Sequence, residues 1–274
     1  MVVERNKNKS RMEVMMERLA RARAAKKEAS RWRSYTSSKE ESFVPRGAVY
    51  KNYYAFHQSH IEMEKRLPLW SYKEGDPPLF HTGPMNDIYS VEGQLIDELT
   101  SADSPFLARH PDEALAFFLP VSIVNIVCFV YRPYTNYSRD SLQNIVKDYI
   151  TLVAGRYPYF NRSSGVDHFL VSCHDWAPGV SAADPKLFKN FIRVLCNANS
   201  SEGFQQARED FNRLEKISMP EIFLRYGQLG SPDLGQPPNN CSILAFFSGG
   251  AHGGIRKILF EHWKEKHDNV LVYE

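Results

Sequence analysis

The sequence predicts an α/β fold. From about residue 53 onward, short apolar runs typical of buried strands alternate with segments of helical periodicity. Near the C-terminus, an apolar strand at 242–247 is followed by a loop with four glycines and then by a helical segment, the order found in nucleotide-binding βαβ units. The composition, 43% hydrophobic and 24% charged, is ordinary for a globular protein, so 274 residues suffice to bury a core.

The N-terminal half contains helices and two strands. Methionine and leucine at helical spacing predict a helix over 11–33, and a linker rich in Ser, Lys and Glu follows at 34–47. We then expect a helix at 53–65, a strand at 67–72, a turn at 75–78 and a helix at 90–99. Ser90 caps that last helix and Gly93 weakens it. The apolar run 114–131 contains Pro120, so it is interpreted as a strand at 114–119 followed by a helix within 121–130 rather than as a membrane span.

The C-terminal half continues the alternation. Apolar residues on one face predict a helix over 141–154: Leu142, Ile145, Val146, Tyr149, Ile150 and Val153. An aromatic corner at 157–160 precedes a strand at 168–173. A helix or turn at 187–194 leads into a strand at 193–196, and 197–240 is mostly loop with a short extended piece at 218–222. The chain closes with a strand at 242–247, a helix at 255–266 and a strand at 270–273.

Charge is distributed unevenly along the chain. Residues 1–33 carry eleven Lys and Arg against four Glu, a net charge of +7, so the remaining residues carry −5 of the +2 total. A basic arm can bind nucleic acid or an anionic membrane surface, or be a solvated helix. The body lacks the basic stripe of a nucleic-acid binder, so no nucleic-acid partner is expected.

Cysteines and glycosylation motifs give a weak indication of compartment. The four cysteines contain no Cys-x-x-Cys pair and are too few for a disulfide scaffold. Five Asn-x-Ser motifs mildly favour the secretory pathway: Asn8, Asn136, Asn161, Asn199 and Asn240. The N-terminus has no apolar signal-peptide core.

The segment 167–178 carries the most informative chemistry. Its strand ends at Cys173 and is followed at once by His174, Asp175 and Trp176. Ligands of open α/β sheets bind outside the carboxyl ends of strands, so these side chains can supply a proton acceptor and a flat apolar surface. Asp175 or His174 is the candidate general base, and Trp176 the candidate sugar platform. Alternatively, Asp175 caps a turn and Trp176 belongs to the core.

Other chemistries fit this segment less well. Ser172, His174 and Asp175 do not form a nucleophilic triad, because neighbours on a strand point to different sides and no Gly-x-Ser-x-Gly elbow is present. A zinc site would need the set His168, Cys173, His174 and Cys196, which lacks paired ligand spacing. The chain has no Asp-x-Asp motif for a divalent metal on a nucleotide sugar, so we expect no metal.

The glycine-rich loop is the second candidate site. Gly249, Gly250 and His252 lie between strand and helix, where backbone N–H groups and the helix N-terminus can bind phosphate. Arg256, in the first helical turn, can add a bidentate contact. The loop is neither Gly-x-Gly-x-x-Gly nor a P-loop, so a tight turn that needs glycine is the alternative interpretation.

Taken together, the chain resembles the exostosin-type glycosyltransferases of plants from about residue 48 to its end. The matching motifs occur in the family's order: Pro77-Pro-Leu-Phe-His81, Ile88-Tyr-Ser-Val-Glu-Gly93, Phe117-Phe-Leu-Pro120, Lys147-Asp-Tyr149, Tyr157-Pro-Tyr-Phe-Asn-Arg162, Asp167-His168, Ser172-Cys-His-Asp-Trp176, Leu195-Cys-Asn-Ala-Asn199 and Leu244-Ala-Phe-Phe-Ser-Gly-Gly250 through Arg256. Phe160 stands where the family often has Trp.

The resemblance implies a GT-B-like fold with two Rossmann-like lobes. Residues 1–33 would be a basic stem, 34–47 a linker, 48–240 a complete N-terminal, acceptor-side lobe, and 241–274 the first strand, loop and helix of a truncated donor lobe. The family's later Cys-Pro-Ser-Gly segment has no counterpart here. Asp175 or His174 would be the base, Trp176 and His168 would bind acceptor, and Gly249, Gly250, His252 and Arg256 would bind donor.

The implied reaction is sugar transfer with inversion from a nucleotide sugar, such as a UDP-sugar, to a cell-wall polysaccharide or glycan, with no cofactor. Family members are type II Golgi membrane proteins whose partners can include other Golgi glycosyltransferases, and the anchor segment is missing from this sequence. A non-catalytic lobe that binds carbohydrate or a partner protein is the alternative function. A disulfide between Cys173 and Cys196 is one guess among the pairings that the four cysteines allow.

Overall fold

A computed structural model describes residues 11–36, 50–131, 138–196, 216–228, 238–251 and 253–274. The chain forms two compact units, residues 1–229 and residues 230–274, which we call the first and the second unit.

The first unit is built on a five-stranded parallel sheet. Its strands are β1 (Leu69–Ser71), β2 (Ala116–Phe118), β3 (His168–Ser172), β4 (Ile192–Leu195) and β5 (Lys216–Ser218). They lie side by side in chain order, and every neighbouring pair is parallel. All five carboxyl ends therefore meet at one edge, and the predicted α/β class is confirmed.

Helices cover both faces of this sheet. The bounds are α1 (Arg11–Trp32), α2 (Tyr53–Arg66), α3 (Ser90–Thr100), α4 (Ile123–Val130), α5 (Asp140–Arg156) and α6 (Pro158–Ser163), with a short 3₁₀ helix at Ala177–Ala183. Successive residues of β2 point to opposite faces: Phe117 packs with the α4 and α5 core, whereas Phe118 packs with Ile96 and Leu99 of α3. The hydrophobic core thus lies in two layers.

The helix predicted over 141–154 is α5. Leu142, Val146, Tyr149, Ile150 and Val153 are buried, as its pattern predicts. Burying five such side chains stabilises α5, because most helical stability in proteins comes from packing of an amphipathic face rather than from helix propensity. The predicted amphipathic face is confirmed.

Gly93, which the sequence marked as a weakness in α3, has a packing role. A Cβ atom on Gly93 would lie only 2.1 Å from the carbonyl oxygen of Pro84. The absence of a side chain lets α3 approach the chain at 83–84 closely. Gly93 therefore lowers the helix propensity of α3 but allows this close packing.

Three local predictions differ from the structure. Ser90 does not cap α3, because Tyr89 is the N-cap residue and the Ser90 hydroxyl donates to the Ile222 carbonyl at 2.6 Å. The predicted aromatic corner at 157–160 contains the short helix α6, because Pro158 occupies a first-turn position where its fixed φ and missing N–H are tolerated. The extended piece expected at 218–222 lies earlier, as β5 ends at Ser218.

The basic helix α1 lies along α2, with Ala29 buried and the Asn52 amide donating to Ser30 Oγ at 2.6 Å.

The apolar run 114–131 divides between β2 and α4, as predicted. Among the described residues, no helix combines the length and the apolar character needed to cross a membrane.

The second unit is a βαβ arrangement: β6 (Ala245–Ser248), α7 (Gly253–Trp263) and β7 (Val270–Tyr273), with the two strands parallel. Strand, glycine-rich loop and helix follow in the predicted order. Among its described apolar side chains only Val272 is buried, while Leu244, Phe246 and Ile255 are 79%, 66% and 85% exposed.

Candidate active site

The candidate active site of the first unit lies where β3 ends. Ser172 is the last residue of β3, Cys173 is fully buried, and the chain then turns outward through His174, Asp175 and Trp176. His174 and Trp176 are half-buried and Asp175 is exposed. The segment thus lies at the carboxyl edge of the parallel sheet, where open α/β folds bind ligands.

A buried carboxylate lies beneath this loop. Glu92 on α3 is fully buried, and its two oxygens accept four hydrogen bonds. Oε1 accepts from Ser122 Oγ at 2.6 Å and from Val124 N at 3.1 Å. Oε2 accepts from Ser172 Oγ at 2.5 Å and from Cys173 N at 3.1 Å. Burial raises the pKa of Glu92, and the four hydrogen bonds oppose that rise.

A disulfide joins Cys173 to Cys196 across β3 and β4. The two cysteines directly follow Ser172 and Leu195, which are paired in the register of these strands, so the sheet brings their Cα atoms to 4.4 Å. The predicted pairing of Cys173 with Cys196 is confirmed. Because both thiols are used, they are not available to the zinc set considered from sequence. Within the described ranges, no three His, Cys, Asp or Glu side chains are arranged to hold a metal ion.

The backbone fixes the state of His174. The Trp176 N–H donates to His174 Nδ1 at 3.1 Å, so Nδ1 carries a lone pair and the neutral ring carries its proton on Nε2. Burial lowers the pKa of His174, the charge of Asp175 opposes this, and Arg139 lowers it further. A neutral His174 with Nε2–H is a hydrogen-bond donor. Of the two candidate bases, the geometry therefore favours Asp175.

Two residues that the sequence did not single out lie close enough to Asp175 for its charge to raise their pKa. The Tyr89 ring lies 5.3 Å from that of His174. Burial is the main cause that raises the pKa of Tyr89, and the charges of Asp175 and Glu221 add to it. Burial, followed by the charge of Asp175, also raises the pKa of Glu221. Tyr89, Asp175 and Glu221 thus share one electrostatic environment.

Glu221 reaches this position through the segment after β5. Leu224 and Asp87 exchange backbone hydrogen bonds of 2.8 and 3.3 Å, and Ser90 Oγ donates to the Ile222 carbonyl at 2.6 Å. These contacts hold residues 221–224 against the start of α3. Tyr89 lies within a matching family motif, but no local pattern marks Glu221, because a contact across more than 120 residues brings it here.

Trp176 is half-buried and packs against the edge of the core of the first unit. Its ring meets Tyr131 edge-on at 5.1 Å, and the Arg139 guanidinium lies 5.7 Å from its centre. His174 contacts it edge-on at 5.7 Å. These neighbours fix the ring orientation, as a sugar-binding aromatic platform requires.

His168 lies at the other end of β3 and is fully buried. Its Nε2 is 2.8 Å from the Tyr72 hydroxyl, its Nδ1 is 2.7 Å from Asp167 Oδ1, and its ring stacks on Phe117 at 4.7 Å. The structure therefore does not bring His168 together with His174–Trp176, and it gives the acceptor contact predicted for His168 no support. These contacts are those of a core histidine whose two ring nitrogens both have hydrogen-bond partners.

The candidate phosphate loop lies in the second unit. Gly249 and Gly250 follow β6, and Arg256 in the first turns of α7 donates from Nη1 to the Gly250 carbonyl at 3.3 Å. The guanidinium also lies 5.9 Å from the Phe247 ring. The loop, the N-terminus of α7 and a cation are thus together. His252, predicted to join them, lies outside the described residues.

Comparison with known proteins supports the resemblance. The Exostosin GT47 domain matches residues 48–272. The chain is 44% identical to Probable glycosyltransferase At5g03795 of Arabidopsis thaliana, over 97% of this chain and 49% of that protein. It is 42% identical to Probable glycosyltransferase At3g07620 of the same plant, over 93% of this chain and 53% of the other. Probable glucuronosyltransferase 47 A of Physcomitrium patens is 26% identical over 60% of this chain and 35% of its own length.

The chain thus spans about half the length of the two Arabidopsis relatives, and no solved structure gives a significant match. The domain match covers most of the chain, including both units and the loop after β3. The chain therefore belongs to the exostosin GT47 domain family, as a relative of plant glycosyltransferases.

Proposed function

We propose that this protein acts as an inverting glycosyltransferase, which transfers a sugar from a nucleotide sugar to a cell-wall polysaccharide or other glycan. The observation that carries the proposal is the exposed Asp175 at the carboxyl end of β3, beside a neutral histidine and two aromatic rings. A carboxylate accepts a proton, and flat aromatic rings pack on sugar faces. Family membership and the relatives' names support the same class of reaction.

In the proposed reaction, Asp175 accepts the proton of an acceptor hydroxyl as that oxygen forms a bond to the anomeric carbon of the donor sugar. The bond from the anomeric carbon to the diphosphate breaks, and its electron pair leaves with the nucleotide diphosphate. Attack from the opposite side inverts the anomeric centre. His174 donates from Nε2–H to a second acceptor oxygen, and Trp176 and Tyr89 pack against the sugar.

The second unit would bind the donor. In this proposal the N–H groups at the start of α7 and the Arg256 guanidinium bind the diphosphate, as helix N-termini and arginine commonly do. Gly249 and Gly250 allow the backbone to approach the phosphate. The assignment of the two units to acceptor and donor rests on the GT-B arrangement expected from the family.

We further propose that the protein works in the secretory pathway, and in the Golgi if it follows the expected type II arrangement. The Cys173–Cys196 disulfide supports an oxidising compartment, since such bonds are rare in the cytosol. The Asn-x-Ser motifs are consistent with that route.

A non-catalytic lobe that binds carbohydrate or a partner protein is the second candidate. It is favoured by one observation: the second unit buries little apolar surface, while the site after β3 lies wholly in the first unit. On this alternative the first unit binds a glycan and the chain transfers no sugar.

A transfer assay on Asp175→Asn tests the proposal. Incubating the protein with UDP-sugars and plant oligosaccharides, and measuring product by mass spectrometry, should show turnover that falls by about 10²- to 10⁴-fold in the variant, because the general base is lost. Asp112→Asn, on an exposed loop, is the matched control and should remain active. Binding of glycan without turnover in the unmodified protein would favour the second candidate, and full activity of Asp175→Asn would exclude Asp175 as the base.

A further inference from the structure

We propose that Glu92 is a positioning residue that holds the His174–Asp175 loop in its working geometry through Ser172 and the Cys173 amide. The inference rests on the proposed function, since it concerns the loop assigned there to the acceptor. Glu92 is fully buried, so in this proposal it makes no contact with substrate. Its role is to act through other residues.

The first step is the relay through Ser172. The Ser172 hydroxyl donates to Glu92 Oε2 at 2.5 Å. The oxygen of that hydroxyl, Ser172 Oγ, accepts from the His174 N–H at 3.2 Å. A serine hydroxyl has one proton, so once Glu92 accepts it, the oxygen lone pairs are available for His174. The carboxylate thereby fixes the direction of this hydroxyl and, with it, the path of the backbone into the loop.

The second step is the anchoring of the carboxylate on its other side. Glu92 Oε1 accepts from Ser122 Oγ and from Val124 N, at the start of α4. One side chain on α3 thus binds the start of α4 and the end of β3. Four N–H and O–H donors converge on a group that has only acceptors when it is ionised. Glutamine would turn an NH₂ group toward one of these donors, which explains why a carboxylate suits the site.

The third step is the path from the carboxylate to the reacting side chain. Glu92 binds Ser172 and Cys173, Ser172 binds His174 N, and His174 Nδ1 accepts from Trp176 N. Asp175 lies between the last two residues of this path. The hydrogen bonds therefore fix the backbone on both sides of the proposed base.

The two serines provide a matched test, which is preferable because replacing Glu92 itself can unfold the protein. Ser172→Ala and Ser122→Ala each remove one hydroxyl bonded to the same carboxylate, at 2.5 and 2.6 Å. Ser122 also caps α4 by accepting from Asn125 N at 3.0 Å, so its variant should lose at least comparable stability. Only the Ser172 variant removes the acceptor of His174 N.

The readout is the NMR titration of the His174 ring in the protein without substrate. We expect Ser172→Ala to move the His174 pKa upward toward its ordinary value, as the loop loosens and water enters. Ser122→Ala should move it less, because Val124 N still binds Oε1 and the bonds from Glu92 to Ser172 and Cys173 remain. Sugar transfer should fall by about tenfold to a hundredfold in Ser172→Ala and by less in Ser122→Ala. Ser172→Thr, which keeps the hydroxyl, should restore both values.

Equal shifts in the two alanine variants, or an unchanged His174 titration in Ser172→Ala, would overturn the positioning role. Because this titration needs no substrate, it is independent of the proposed reaction. A protein that shows the expected titrations but keeps full transfer activity in Asp175→Asn would contradict the proposed base and leave the role of Glu92 intact.

Discussion

At the scale of single residues, His174 shows how a backbone contact decides the chemistry of a side chain. The sequence offered Asp175, or alternatively His174, as the base. The Trp176 N–H occupies Nδ1, and burial lowers the pKa of the ring, so the histidine stays neutral and donates from Nε2. The Asp175 carboxylate next to it is exposed at the surface of the loop.

The lowered pKa of His174 predicts a pH dependence of stability. Because the folded pKa lies below the ordinary value of 6.5, the unfolded chain binds more protons between those two values. The contribution of His174 to the free energy of unfolding is therefore present in full above about pH 6.5, and it is lost as the pH falls through the folded pKa.

Urea denaturation of the native protein and of His174→Gln at several pH values measures this effect. The difference between their free energies of unfolding should shrink as the pH falls below 6.5. A difference that stays constant from pH 8 to pH 5 would contradict the lowered pKa.

Arg256 is the residue of the second unit whose replacement tests donor binding. Replacing Arg256 by Ala removes a cation held beside the Gly250 carbonyl at the start of α7. If this cation binds the donor diphosphate, the Kd for a UDP-sugar should rise about tenfold to a hundredfold in the intact protein, the range of a charged hydrogen bond. Calorimetric titration measures it, and Lys257→Ala, an exposed neighbouring cation, is the control. An unchanged Kd in Arg256→Ala removes this residue from the donor site.

At the scale of elements, the end of β3 is held from two sides. The Cys173–Cys196 disulfide links it to β4, and the Glu92 carboxylate links it to α3 and α4. The loop that carries the candidate base therefore begins from a fixed point. Active sites require such support, because small displacements of a reacting group reduce rates strongly.

Removing the disulfide should lower the stability of the first unit. Cys196→Ser opens a link between residues 23 apart in sequence, and closing a loop of that size contributes about 3 kcal/mol in the chain-entropy view. Denaturation with guanidinium should show a loss of this order, and the native protein in reductant should show the same loss. Cys128→Ser, at a cysteine outside the disulfide, serves as control. Equal stability of Cys196→Ser and the native protein would mean that the bond does not form in solution.

At the scale of the whole molecule, the two units differ in how much apolar surface they bury. The first has two core layers around a five-stranded sheet. The described part of the second has two strands, one α-helix and a short 3₁₀ helix (Pro238–Asn240), with large apolar side chains exposed. Two-stranded sheets are at best marginally stable in water, and domains this small rarely fold without added links.

We therefore expect residues 230–274 to be largely unfolded when expressed alone, and residues 1–229 to unfold cooperatively. Circular dichroism of the separate pieces tests this. A sharp thermal transition of the isolated second unit would contradict the expectation.

The sequence by itself determined the alternation of strands and helices, the face that α5 buries, the position of the loop after β3 and the resemblance to the exostosin family. These features follow from local periodicity and from motifs whose residues are neighbours in the chain. Only the tertiary structure decided which residues share the site. Contacts between residues 80 or more positions apart bring Glu92 and Tyr89 to the loop after β3. The segment that contains Glu221 is held there by its contact with the start of α3. His168, at the other end of the same strand, is buried in the core. Sequence spacing carries no record of such contacts, because the parallel sheet brings together strand ends that are far apart along the chain.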